Sequence, residues 1–143
     1  MISLKRNGNF KHILERVELI DKEFNSGSFL EGVAQLLNSS IQTRVQEKGR
    51  GTDNRVMNAY SNKYAASKKK SGRQTAVRDL TYSGKMWQSL TTAGIPGGAK
   101  MFFSGVENAN KARGNELRAP FFGVGPKERS ILKRELRKLI NVN

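Results

Sequence analysis

Residues 49–79 carry almost no aliphatic side chains; Val56, Met57, Tyr60, Tyr64 and Val77 are the only sizeable apolar ones. A stretch of that length with no structure of its own is unusual inside a compact fold. It either has a task or is ordered by a neighbour. Tyr60 and Tyr64 sit one helical turn apart after Met57, so a short helix around Ser61–Lys69 is expected. Lys68-Lys69-Lys70 followed by Ser71-Gly72-Arg73 reads as a solvated run.

Upstream, Phe29, Val33, Leu37, Ile41 and Val45 recur every four residues, which predicts a helix from Phe29 to Lys48 with Gly49 as its stop. Ser28 and Glu31 have the spacing of a capping box at its start. Before it, Phe10, Ile13, Leu14, Val17, Ile20 and Phe24 predict a second amphipathic helix, broken at Asn25-Ser26-Gly27. Met1–Arg6 reads as a short edge strand and Asn7–Asn9 as a turn.

Downstream, Asp79–Leu90 holds the only Trp, with Leu80, Tyr82, Met86 and Trp87 around Gly84, where the chain is expected to turn. Met86–Thr92 and Ala99–Val106 read as paired strands joined through Ala93–Gly98. Met101–Phe103 is a continuous apolar patch. Glu107–Asn115 is polar, with room for one or two helical turns. Pro120 excludes a central strand over Leu117–Val124. Gly125-Pro126 opens a last helix with Ile131, Leu132, Leu136, Leu139 and Ile140 on one face. The expected fold is α+β, a small antiparallel sheet packed by an N-terminal and a C-terminal amphipathic helix, with a long basic loop. A single domain over 1–143 is expected, with residues 1–27 as an extension and 49–79 as the loop.

The charge is concentrated in that loop. The chain is +14, yet residues 1–43 are neutral, while 44–78 set ten Lys/Arg against Glu47 and Asp53. Arg44, Lys48, Arg50, Arg55, Lys63, Lys68, Lys69, Lys70, Arg73 and Arg78 are therefore the candidate contacts to an anionic partner, DNA or an acidic protein surface. Changing Lys68, Lys69 and Lys70 together to Glu is expected to spare folding and impair partner contact. An apolar content of 36% and a mean hydropathy of −0.60 suit either a folded domain with long polar excursions or a chain that buries surface only in an assembly.

There is no Cys, which rules out disulfides and thiolate metal sites, and the single His12 cannot make an imidazole cluster. No carboxylate pair has the spacing of a metal-dependent nuclease, and Ser83-Gly84-Lys85 fails the phosphate-loop pattern at both ends. No enzyme activity and no cofactor are expected. No apolar run reaches membrane-spanning length, and the absence of an apolar block at the N-terminus points to a cytoplasm-like compartment.

Four segments occur together in order: Ile41-Gln-Thr-Arg-Val45, Tyr60-Ser-Asn-Lys-Tyr-Ala-Ala-Ser-Lys68, Asp79–Leu90 and Arg118-Ala-Pro-Phe-Phe-Gly123. In this they resemble the bacteriophage virion-morphogenesis family, the tail-completion or head-to-tail connector proteins. The resemblance covers roughly Phe29 to Ile140. It implies a small α+β structural subunit of the neck that forms a homo-oligomeric ring, often of six copies, through which DNA passes. It implies portal-side connectors and tail-tube or tail-terminator proteins as neighbours, a place in the virion after assembly in the host cytoplasm, no membrane and no catalytic residues. Gly84, Trp87, Pro120, Phe121, Phe122 and Gly123 are expected to shape the fold, and the basic loop to meet protein or channel DNA. The alternative is a stand-alone, sequence-independent nucleic-acid-binding protein.

Overall fold

The computed structural model describes residues 8–140. Its element order is α1 (Gly8–Ser26), α2 (Ser28–Gln42) continued by a π-helical turn (Thr43–Glu47), α3 (Asn62–Lys70), α4 (Lys85–Gln88), β1 (Leu90–Ile95), β2 (Gly98–Phe103), α5 (Val106–Arg118) and α6 (Pro126–Ile140). The fold is α+β, with a two-stranded antiparallel sheet. The edge-strand expectation for Met1–Arg6 lies outside the described residues.

Helix α2 is the axle. It packs on both strands, on α6 and on α1. Its apolar residues recur every four positions, and each such step overshoots a 3.6-residue turn by about 40°. The stripe therefore drifts around the helix. The wider π turn takes up part of that drift, so that Arg44 and Val45 are both buried at its end.

The helix does not begin with the expected capping box. Its N-cap is Gly27, in the left-handed region at φ +72°, and Ser28 is already the first helical residue. The main-chain oxygen of Gly27 accepts from Glu31 N at 2.8 Å. Gly27 is required for a second reason. A Cβ there would lie 2.7 Å from the oxygen of Ile95, and one on Gly94 would lie 2.7 Å from the oxygen of Gly27. The α1–α2 corner thus rests backbone-to-backbone on the hairpin tip, where Gly97 N also donates to Phe24 O at 2.9 Å.

The sheet starts later than expected. Lys85–Gln88 is a helical turn entered through Gly84 at φ +80°, and the hairpin pairs Leu90 with Phe103 through to Ile95 with Gly98. Its connection is only Pro96-Gly97, the residue pattern of a type II turn. Along β2 the apolar patch alternates, with Phe103 buried and Phe102 exposed. Helix α5 is also longer than the expected one or two turns, and takes in Val106, which the strand reading had included. Its surface is polar nearly all round and only Ala112 is buried, so the sequence offered little apolar stripe to follow.

The core gathers at one end of α2. Ile41 and Val45 meet Met57, Leu80, Met86, Leu90 and an aromatic cluster. Trp87 lies edge-on to Phe121 at 5.6 Å and to Phe103 at 6.0 Å between ring centroids. Phe122 packs on Phe103 at 5.0 Å. Pro120–Gly123 is thus the loop that delivers Phe121 to the hairpin base.

Candidate functional site

Two ion pairs organise the region from which a partner-binding face was expected. The first takes Lys68 out of solution. Lys68 is 1% exposed, and its Nζ donates to Asp79 Oδ1 at 2.5 Å. Asp79 also accepts from Tyr60 OH at 2.8 Å, from Thr81 N at 3.0 Å and from the Gln74 amide. Its main-chain oxygen takes Trp87 Nε1 at 3.3 Å. Burial alone would raise the Asp79 carboxyl; the hydrogen bonds from Lys68, Gln74, Thr81 and Tyr60 outweigh it and hold the group below its ordinary value. Burial, with the hydrogen bond to Asp79 second, pushes the Tyr60 hydroxyl well above its usual range. Tyr60 OH accepts in turn from Leu80 N at 2.9 Å, which helps hold Leu80 at φ +53°, a region costly for a leucine.

The second pair removes Arg44. Arg44 Nη1 lies 2.6 Å from Glu128 Oε2, with the two side chains 4% and 0% exposed. The guanidinium also donates to the main-chain oxygens of Phe121 and Gly123. Burial lowers its pKa, and Glu128 works against that shift. Glu128 accepts in addition from Ser40 Oγ and from Gly125 N, the latter closing half of a capping box at the start of α6. Arg44 therefore clamps the end of α2 to the Phe-Phe-Gly loop and to α6.

These two residues are corrections to the expected contact set. Neither is available to a partner, and the Lys68–Lys70 run is solvated only at Lys69 and Lys70. Replacing all three with Glu would bury a carboxylate beside Asp79, so that change cannot spare the fold. Burial of Lys68 arises because its charge is met by a carboxylate eleven residues on, a pairing that no local spacing reveals.

The remaining cations lie outside. Lys48, Lys63, Lys69 and Lys70 are exposed and without a partner among the described residues. Arg73 stacks over Tyr82 at 4.7 Å. Arg55 stands 3.8 Å from Asp53, and Arg50 donates to Asn54 O at 2.6 Å. Arg78 is half-buried against Tyr60, 5.7 Å from its ring centroid. The expected loop is thus partly ordered, by α3 and by a bridge between Arg50 and Val56.

Sequence reasoning missed the other wall of this face. Between the start of α3, the 78–87 segment and α5 lies a cavity of about 570 Å³. Tyr60, Tyr64 and Tyr82 line it together with Arg78, Lys111 and Arg118, and no carboxylate lines it among the described residues. Lys111 and Arg118 are seven apart, hence on one face of α5; reading the helix at full length would have shown this. Such a cavity suits a partner that brings negative charge together with apolar or planar groups.

His12 is exposed on α1, 3.6 Å from Glu15. Among the described residues no three metal-ligating side chains converge, and no helix is long and apolar enough to cross a membrane. Comparison with protein families, curated proteins and solved structures finds no match to this chain.

Proposed function

We propose that the chain is a structural subunit of a tailed-phage neck, completing the tail end or joining head to tail as one member of a ring around the DNA channel. The observation that carries this reading is how the four family-like segments are used. Arg44 of the first segment binds the Phe-Phe-Gly loop of the last. Lys68 and Tyr60 of the second bind Asp79 of the third. Trp87 of the third packs on Phe121 of the last. Segments that resemble one family serve as the framework of one fold.

The surface supports a subunit that works in contact with others. It leaves Ile13, Leu14 and Val17 of α1 about half exposed, and it carries exposed lysines at Lys63, Lys69 and Lys70 on α3. The subunit would be assembled in the host cytoplasm and end in the virion. The experiment is electron microscopy of a lysate from a phage whose copy of this gene carries a stop codon. DNA-filled heads beside complete, unattached tails are expected. Normal infectious particles would rule the reading out.

A stand-alone nucleic-acid-binding role is favoured by Tyr64 and Tyr82 standing among Arg73, Arg78 and Arg118, an arrangement that can stack bases and neutralise phosphates. Titration with random duplex at two salt concentrations separates the two. Tight binding with a steep salt slope favours this second role.

A further inference from the structure

One apolar stripe of the molecule runs past the point where the chain covers it. Ile13, Val17, Ile20 and Phe24 share a face of α1. Ile20 and Phe24 are half-buried, and Phe24 packs on Phe29 of α2 at 6.3 Å. Ile13 and Val17, two turns further out, are 57% and 56% exposed. Leu14, Glu18 and Asp21 form the adjoining strip, and all three are exposed. Residues 13–21 of α1 therefore offer an apolar ridge bordered by carboxylates. Across the whole helix four carboxylates stand against three cations, in a chain that is otherwise strongly basic.

The cavity beneath Tyr64 and Tyr82 has the opposite character. The two rings stand 6.3 Å apart and are 40% and 45% exposed. Arg78, Lys111 and Arg118 surround them with no carboxylate in the lining. The cavity is built by α3, the 78–87 segment and α5, whereas α1 packs on α2 and β1. Ridge and cavity are thus separate patches of one chain.

We infer that the exposed side of α1 over residues 13–21 of one copy docks in the Tyr64–Tyr82 cavity of the next, with Glu18 and Asp21 facing Lys111 and Arg118. This rests on the reading of the chain as a ring-forming subunit and names the contact that would close the ring. Leu14 and Val17 cover the tyrosine rings, and the carboxylates meet Arg118, which has no carboxylate partner among the described residues, and Lys111, whose partner Glu107 at 2.5 Å lies outside the cavity lining. Two different patches make a head-to-tail contact, and such contacts generate rings where the rotation closes. An α1–α1 pairing would instead bring like carboxylates together, and DNA in the cavity would leave the apolar ridge uncovered.

Sedimentation velocity on the full chain tests this. One variant carries Glu18→Lys and Asp21→Lys, the other Lys111→Glu and Arg118→Glu. All four side chains are exposed, and the one ion pair among them, Lys111 with Glu107, is itself exposed and worth little, so both variants should melt close to the wild-type temperature. The wild type should sediment as an oligomer that dissociates at high salt, and each variant alone as a monomer. Mixed in equal amounts, the variants should reassemble, because each then finds an opposite charge on the other. A wild-type oligomer unaffected by Lys111→Glu with Arg118→Glu would overturn the contact and leave the ring-subunit reading standing. A wild type that stays monomeric at every concentration would remove both. Failure of the mixture to reassemble, with short duplex DNA binding the wild type and not the cavity variant, would give the cavity to nucleic acid instead.

Discussion

Lys68 and Asp79 show how much a single burial changes. Three consecutive lysines differ in nothing that a local pattern can read, yet only Lys68 points inward. Lys68→Met should destabilise the fold by about 3–5 kcal/mol, because Asp79 is left buried without its cation. Lys69→Glu or Lys70→Glu should stay within about 0.5 kcal/mol of wild type; denaturant melts of the three variants separate these outcomes. The same site predicts a pH dependence. The folded Asp79 carboxyl binds its proton less readily than the unfolded chain does. Its contribution is complete above the ordinary aspartate value of about 3.9, and is lost as pH falls through the lower folded-state value. Melting temperature should therefore drop below about pH 4 more steeply in the wild type than in Asp79→Asn. Equal slopes would mean that another group controls acid unfolding.

At the level of elements, periodicity carries the helices and fails where contacts are made over long separations. Helices α1, α2, α3 and α6 were legible from apolar spacing and from turn residues at their ends. Helix α5 was legible only in part, since a helix that buries Ala112 alone displays no stripe. The hairpin was legible as a pair of strands but not in its register. Met86 and Trp87 suit a strand as well as the helical turn they form, and only the pairing of Leu90 with Phe103 distinguishes the two. The clamp between Arg44 and Glu128 spans 84 residues, so Arg44 read as one more exposed cation. Trp87, 4% exposed among Phe103 and Phe121, should cost about 3–5 kcal/mol when changed to Ala. Gly94→Ala should cost about 1–3 kcal/mol by forcing the hairpin tip off Gly27. Calorimetry of the two variants checks both values, and an unchanged melt of Gly94→Ala would show that the corner is not tightly seated.

Across the whole molecule, charges that meet a partner inside the chain are separated from charges that do not. Lys68 and Arg44 are consumed by the framework, while Lys63, Lys69, Lys70 and Arg73 remain outside with the tyrosine-lined cavity. Net charge on this scale governs encounter and solubility rather than the fold. On the proposed reading, the framework lies inside the subunit and its outside carries assembly. The most direct test is complementation of the stop-codon phage with Lys63→Glu, Lys69→Glu and Lys70→Glu combined, alongside the melt of the purified variant. A wild-type melting temperature and a lysate of unjoined heads and tails are expected. Full infectious titre from that variant would contradict the reading.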